Sequence, residues 1–125
     1  MAARSVKVNV VNNSKYIFYH NSDGLNHGVW VTYQGPYSTG PFQFAKEIDA
    51  DGGTGYFASE SDGVMTGTQG WAAFQDMAGQ QITFHWDNPW DGANSYSAPC
   101  FSGVKVSHTS GHGDNAEVTF TIENA

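Results

Sequence analysis

Apolar residues occupy every second position in several short runs of the chain. Valines fill alternate positions of residues 6–10, and Val118, Phe120 and Ile122 alternate with polar residues near the C-terminus. A period of two is typical of β-strands that bury one face and expose the other. No window shows the apolar spacing of an amphipathic helix. These runs therefore predict an all-β protein.

A β-hairpin is predicted in the middle of the chain. One arm covers about residues 68–75 and the other 81–86, and Asp76–Gly79 between them suits a type I turn closed by a glycine at positive φ. In the second arm the alternation places Trp86 on the same inner face as the other apolar residues, with Thr83 on the outer face.

Shorter strands are predicted between clusters of Asn, Asp, Ser, Gly and Pro, which favour turns. They cover residues 16–20, 29–33, 42–48, 56–59 and 104–106, with turns at 12–14, 21–24, 49–53 and 60–63, a loop at 35–41 and a polar connection at 108–115. About eight or nine short strands, without a repeat or a linker, predict a single-domain antiparallel β-sandwich over residues 1–125. A sandwich does not specify a function, which has to be argued from sites.

The charge balance excludes one class of partner and disfavours another. Five Lys and Arg stand against twelve Asp and Glu, for a formal net charge of -7. A nucleic-acid-binding protein needs a basic surface, so we expect no nucleic-acid partner. Anionic phospholipid also attracts clusters of Lys and Arg, and a zwitterionic surface is the more compatible membrane.

Cysteine usage and the N-terminal residues bear on where the chain folds. Cys100 is the single cysteine, so no disulfide can form within the chain. Residues 1–7 enter a strand-like pattern without a long apolar segment. We therefore expect synthesis and folding in the cytoplasm without a signal peptide.

Two arrangements of polar residues could support chemistry. His108, His112 and Asp114 have a spacing that suits metal ligands on a helix, but they lie in a glycine-rich stretch where a solvated loop is the preferred interpretation. Asp87 and Asp91 could form a glycosidase pair, although aspartates beside Asn, Pro and Gly are ordinary turn residues. We expect no enzyme activity, metal or cofactor.

The tryptophans are more informative. Trp30 is expected on the polar face of its strand, Trp71 faces outward if Ala72 and Phe74 face inward, and Trp90 follows a proline in a loop. A cluster of exposed tryptophans would mark a contact surface. Aromatic faces with an aspartate can hold a substituted ammonium group by cation–π attraction, and the same residues can stack on sugars. The residues alone leave both ligands open.

Several segments resemble the aegerolysins. The motif "WDNPWDG" at residues 86–92 is similar to their Trp-Asp-x-Pro-Trp-Gly loop, with one aspartate inserted. The segments "ARSVKVNVVNNS" (3–14), "FASESDGVMTGT" (57–68), "DNPWDGANSY" (87–96) and "GDNAEVTFTI" (113–122) resemble most closely the small component of the binary insecticidal crystal toxins of bacilli. The resemblance covers most of the chain and is weakest over residues 31–51.

The resemblance implies a β-sandwich that binds membrane lipids, especially in bilayers with sphingolipid, and that acts outside the cell with a larger pore-forming partner protein. It transfers a lipid-facing loop to Trp86, Asp87, Pro89 and Trp90. Many fungal members have a cysteine where this chain has Asn88, so their lipid preference is not transferred.

The resulting hypothesis is a non-enzymatic, lipid-recognising component of a pore-forming, insecticidal toxin, with self-association into homo-oligomers left open. A carbohydrate-binding module that uses the same aromatic loop is the alternative, and a hydrolase using the two aspartates is a third interpretation. The predicted lipid-binding residues are Trp86, Asp87, Pro89, Trp90, Asp91, Trp71, Trp30 and Tyr96.

Overall fold

The structure, a computed structural model, describes residues 3–31 and 46–125 and contains two five-stranded sheets in these ranges. The strands are β1 (Ser5–Asn13), β2 (Phe18–His27), β3 (Val29–Val31), β4 (Glu47–Ile48), β5 (Gly53–Glu60), β6 (Thr68–Gln75), β7 (Gln81–Asn88), β8 (Ser95–Ser97), β9 (Val104–His108) and β10 (Asn115–Asn124). The predicted all-β sandwich is confirmed.

The two sheets differ in the direction in which their strands pair. The first has the order β3-β5-β1-β10-β9, and the second β4-β2-β6-β7-β8. The first and last strands, β1 and β10, pair in parallel, whereas the other paired strands are antiparallel. A parallel pair needs a long connection rather than a tight turn, and nearly the whole chain separates these two strands.

The core lies between the inner faces of the two sheets. The alternating residues of β1 and β10 are all buried, as their period of two predicts, and they meet aromatic residues from the second sheet. The largest buried side chains are Trp86, Phe18, Phe74, Phe84, Phe120, Ile48, Ile82 and Ile122. Removing this apolar surface from water is the main stabilising contribution to a sandwich of this kind.

The predicted hairpin is confirmed as β6 and β7. Its turn is held by Asp76, whose Oδ1 accepts hydrogen bonds from the backbone N–H groups of Ala78 (2.9 Å) and Gln80 (2.8 Å). Gly79 has a φ of 83°, the left-handed conformation expected at the closing glycine. The register places Trp86 on the inner face, where it is 1% exposed.

Other sequence-based boundaries need correction. Residues 21–24, predicted as a turn, lie inside β2, which passes through them with register shifts between His20 and Ser22 and again between Leu25 and His27. Such bulges let a strand tolerate turn-forming residues. Strand β8 was not predicted because its three residues are too few for a periodic pattern. The predicted loop at 35–41, and the predicted strand segments at 32–33 and 42–45, lie outside the described residues.

Candidate functional site

A groove of about 440 Å³ lies on the outer face of the second sheet, away from the core. The register of β6 and β7 places Trp71 opposite His85, and Gln69 opposite Asp87. On β8, Ser95 is paired with Asp87 and adds a hydroxyl group to the same face. The groove therefore combines one indole ring with side chains that donate and accept hydrogen bonds.

Trp71 packs against the backbone of the neighbouring strand β2. Its partner in the register is Gly24, and a Cβ atom at that glycine would come within 2.9 Å of the Trp71 Nε1 atom. The absence of a side chain at Gly24 thus leaves room for the indole. Ala72 and Phe74 are fully buried, which confirms the prediction that Trp71 faces outward.

A second cavity of about 360 Å³ adjoins the end of β7, where Pro89 and Trp90 face Met65 and Thr66. Asp87 and Gln69 line both this cavity and the groove with Trp71, so the two form one continuous surface. Among the described residues the Asp87 carboxylate has no hydrogen-bond or ion-pair partner. The acceptor capacity of an aspartate between two tryptophan-lined cavities is therefore available to a ligand.

Trp90 is 38% exposed and is covered on one ring face by Arg4. The guanidinium carbon of Arg4 lies 4.4 Å from the centre of the indole. The same side chain donates hydrogen bonds to the carbonyl oxygens of Trp90 (2.9 Å) and Pro89 (3.3 Å), and its Nη1 lies 3.5 Å from Asp114 Oδ1. Arg4 therefore fixes the loop and covers one face of the Trp90 ring, so the predicted exposure of Trp90 is only partial.

Two of the predicted site tryptophans belong to the core or pack against it: Trp86 is buried, and Trp30 is partly buried. Trp86 donates a hydrogen bond from Nε1 to Ser59 Oγ (3.0 Å) and forms only the floor of the groove. The prediction that Trp30 faces the polar side was wrong. Trp30 is paired with the fully buried Ser59, and its ring centre lies 5.7 Å from that of Trp86. Val29, Trp30 and Val31 are all apolar. Strand β3 therefore has no alternation of polar and apolar residues that would show which of its faces points to the core.

Asn88 and Tyr96 stabilise the two sides of the aromatic loop. The buried Asn88 amide donates to the carbonyl oxygens of Ser5 (3.1 Å) and Asp114 (2.8 Å), which ties the loop to β1 and to the start of β10. The Tyr96 hydroxyl donates to the carbonyl oxygen of Gly111. Burial raises the pKa of Tyr96 above its ordinary value, which further favours the protonated phenol that donates this bond.

The remaining polar candidates do not converge. Asp91 is exposed and lies outside the lining of both cavities, so the Asp87–Asp91 pair is not brought together around a common space. Within residues 3–31 and 46–125, no group of three His, Cys, Asp or Glu side chains is placed to hold a metal ion. His108 instead packs against Tyr96 and Phe120.

Several residues at this site were not found by sequence reasoning. Arg4 has no local signal, because its contact with Trp90 spans 86 positions. Val64 and Met65 are adjacent apolar residues in a turn-forming segment, and that contrast could have indicated an exposed apolar turn. Gly67 lies directly against the Pro89–Trp90 backbone, which only the tertiary structure reveals.

The fold and the surface define a β-sandwich protein with an open aromatic and acidic surface on one sheet. The family model for Aegerolysin matches residues 3–124, so the chain belongs to the aegerolysin family. The resemblance to the aegerolysins is thereby confirmed. No curated protein matches the chain. No helix in the described ranges is long and apolar enough to cross a bilayer.

Similar solved structures agree with the fold. The RahU protein in complex with a TRIS molecule has 22% identity and a TM-score of 0.79, covering 100% of this chain and 98% of that one. IP-1A from Alcaligenes faecalis has 19% identity and a TM-score of 0.73, covering 98% and 92%. The lipid binding protein Nakanori has 15% identity and a TM-score of 0.76, covering 98% and 72%. At these identities the likeness concerns the fold.

Proposed function

We propose that this protein recognises zwitterionic membrane lipid, with sphingolipid as the preferred class, through the surface between Trp71 and Trp90. The observation that supports this most directly is the Asp87 carboxylate, which lacks a partner among the described residues and lines both tryptophan cavities. A substituted ammonium head group would meet a carboxylate and aromatic rings there. The lipid-binding description of Nakanori and the membership of the aegerolysin family favour the same ligand class.

The negative net charge of the chain disfavours binding to anionic bilayers. With a formal net charge of -7, the protein is repelled by a surface rich in phosphatidylserine. A zwitterionic head group avoids this repulsion, and its ammonium group still pairs with Asp87.

Binding to vesicles of defined composition tests this proposal. We expect binding to sphingomyelin with cholesterol, weaker binding to phosphatidylcholine and little binding to phosphatidylserine at physiological salt. Equal binding to the first two would remove the sphingolipid preference, and no binding to any vesicle would contradict lipid recognition.

Asp87→Asn, which keeps the size of the side chain, should weaken vesicle binding about tenfold, in line with the loss of one charge pair of roughly 1.4 kcal/mol. Asp91→Asn is the matched control, because Asp91 is an exposed aspartate outside both cavities. Equal losses for both variants would indicate a general charge effect and would contradict a specific role for Asp87.

The wider biological role follows the family resemblance. We propose that the protein is non-enzymatic, is made in the cytoplasm, and acts outside the cell as one component of an insecticidal pore. A larger partner protein would complete the pore, and self-association on the membrane would increase avidity. The expected result is no dye release from vesicles and no haemolysis with this protein alone, and release when the product of a neighbouring pore-forming gene is added.

A glycan is the second candidate ligand. The groove beside Trp71 favours it, because an indole with Gln69, His85 and Ser95 around it can stack on a sugar ring and bond its hydroxyl groups. On this alternative, the parent protein binds a glycan array but not vesicles that lack glycan, and Trp71→Ala abolishes the glycan binding. Loss of cell binding in millimolar sugar would favour the glycan over the lipid.

A further inference from the structure

Two adjacent apolar side chains project from the loop before β6. Val64 is 89% exposed and Met65 is 66% exposed, in the segment Asp62-Gly63-Val64-Met65-Thr66-Gly67. Single exposed apolar residues are ordinary on a protein surface. Here two consecutive ones lie at a turn next to the exposed Trp90, and together they form an apolar edge. We call Val64 and Met65 the apolar lip.

The backbone of the lip is held in a specific conformation. Met65 has a φ of 56°, in the left-handed region that few residues other than glycine, asparagine and aspartate adopt. The Thr66 hydroxyl closes the turn by donating to the carbonyl oxygen of Gly63 (3.1 Å). Strained conformations of this kind persist where the surrounding structure enforces them, and they concentrate at functional surfaces.

The loop that bears Trp90 enforces the position of the lip. A Cβ atom at Gly67 would lie 2.5 Å from the carbonyl oxygen of Asn88 and 2.9 Å from the Trp90 nitrogen, so the two loops are in direct backbone contact. Met65 and Trp90 both line the 360 Å³ cavity that contains Asp87. Both also line a third cavity of about 420 Å³ on the other side, next to Glu60 and Asp62.

The shape and charge of this edge fit a bilayer interface. The side chains of the lip project outward, and a fluid head-group layer can close around such a projection without a preformed pocket. Tryptophan prefers the interface between head groups and hydrocarbon, which suits Trp90. The acidic Glu60 and Asp62 beside the lip disfavour an anionic surface, so a zwitterionic bilayer is the occupant that these residues fit.

We infer that Val64 and Met65 insert into the interfacial region of a zwitterionic bilayer next to Trp90. This inference rests on the proposed lipid recognition and adds a second element to it. Asp87 selects the head group, and the apolar lip supplies depth of insertion and affinity that are independent of head-group chemistry. Partial burial of the two side chains removes apolar surface from water, which is favourable whichever zwitterionic lipid is present.

An environment-sensitive dye at single cysteines tests insertion directly. In a Cys100→Ser background, Met65→Cys carries the dye at the lip. Met77→Cys carries it at the exposed turn of the β6–β7 hairpin, where Met77 is 90% exposed. On sphingomyelin–cholesterol vesicles we expect a blue shift and quenching by spin-labelled lipid at position 65. The dye at position 77 should keep its aqueous spectrum.

Binding of unlabelled variants provides a second test. The double variant Val64→Ser with Met65→Ser should bind sphingomyelin–cholesterol vesicles at least about tenfold more weakly, and Met77→Ser should bind as the parent protein does. Because all three side chains are exposed, thermal unfolding should be nearly the same in each variant. The double variant should also lose affinity on phosphatidylcholine by a similar factor, whereas the effect of Asp87→Asn should depend on the head group.

The outcomes separate this inference from the proposed function. If the parent protein binds vesicles, but the dye at position 65 stays in water and the double variant binds normally, the lip inference is wrong and lipid recognition stands. If the parent protein binds no vesicle, both are wrong. A spectral shift at position 65 that appears only with a protein partner, and not with vesicles, assigns the lip to a protein contact and also overturns the inference.

Discussion

Two exposed methionines lie at opposite ends of strand β6, and their surroundings differ. Met77 lies in the turn after the strand, where Asp76 accepts hydrogen bonds from the following backbone N–H groups. Met65 lies in the loop before the strand, beside Val64 and Trp90, with its backbone in the left-handed region. Met77 therefore lies in a turn that polar groups stabilise without it, whereas Met65 belongs to the apolar lip.

The difference shows where the structure is optimised for stability. At the turn end, polar groups are satisfied locally within five residues, and the side chain of Met77 affects none of them. At the loop end, Arg4, Asn88 and Gly67 connect distant segments. They hold apolar side chains at the surface, together with the Asp87 carboxylate, which has no partner in residues 3–31 and 46–125. Exposed apolar groups and strain contribute nothing to folding, which is why this end is the better candidate for binding.

The largest expected effect comes from separating the two loops. Gly67→Ala places a methyl group within 2.8 Å of the Pro89 Cα atom, so the backbone has to shift. Overpacking of this kind costs about 1–3 kcal/mol in the free energy of unfolding. We expect a lower Tm, a changed Trp90 emission and weaker vesicle binding.

Gly79→Ala is the control for that prediction. It has open space around the Cβ position and is strained only by its positive φ at the turn end. It should lower Tm while vesicle binding stays at the parent level. If Gly67→Ala left both Tm and Trp90 emission unchanged, the close contact between the loops would be disproved.

The next largest effect is expected from removing the Arg4 side chain, which holds the loop that bears Trp90. Arg4→Ala removes the cation–π contact and two hydrogen bonds to the loop, and we expect a loss of about 1 kcal/mol of stability. Faster quenching of Trp90 by acrylamide and a several-fold loss of vesicle affinity should accompany it. Lys105→Ala removes the same charge from an exposed position on β9 and should change neither quenching nor affinity. An equal effect of both variants would point to net charge alone.

A smaller effect is expected at the turn end. Burial raises the pKa of Asp76, but hydrogen bonds from the Gln80 side chain and from the backbone of Gln80, Ala78 and Gly79 outweigh it, and the pKa lies below its ordinary value of 3.8. A lowered pKa in the folded state stabilises the protein above the ordinary value, and this contribution is lost as the pH falls through the lowered one.

Asp76→Asn should therefore lower Tm by a few degrees at pH 7, and the deficit should shrink below about pH 4. Vesicle binding should not change, because the turn lies away from the lip. A deficit that stayed constant down to pH 2 would show that the charge of Asp76 does not stabilise the turn.

The smallest effect on stability is expected for Met65→Gly. This variant separates most clearly a role of Met65 in vesicle binding from a role in folding. Glycine accepts the left-handed conformation without strain, but it gains conformational entropy in the unfolded chain, so the two contributions nearly cancel within about 1 kcal/mol. Tm should stay the same or rise slightly while vesicle affinity falls. A large drop in Tm would mean that Met65 serves folding rather than binding.

Much of the strand pattern could be predicted from the sequence. The alternation in β1 and β10, both arms of the β6–β7 hairpin and its closing glycine follow from local periodicity and turn chemistry, and the structure confirms them. The pattern failed where local signals conflict. Residues 21–24 are turn-forming and yet lie in β2, because pairing with β6 on one side outweighs their preference.

The proposed binding surface could be predicted only in part. The sequence by itself determined that Trp86 faces inward and Trp71 outward, since the side-chain period of a strand decides both. It also indicated Asp87 and Trp90 through the resemblance of their motif. It could not determine that Trp30 packs against the core, since the short strand β3 is apolar on both faces.

Only the tertiary structure decided which distant residues complete the surface. The parallel pairing of β1 with β10 brings Arg4 and Asp114 to the loop that bears Trp90, and the backbone contact at Gly67 places Met65 beside it. Sequence periodicity reports on neighbours along one strand, whereas these contacts depend on the order in which the strands are assembled. The alternation of apolar and polar residues therefore determined which side chains face the core. The order of the strands in the sheets determined which distant residues lie beside Trp90.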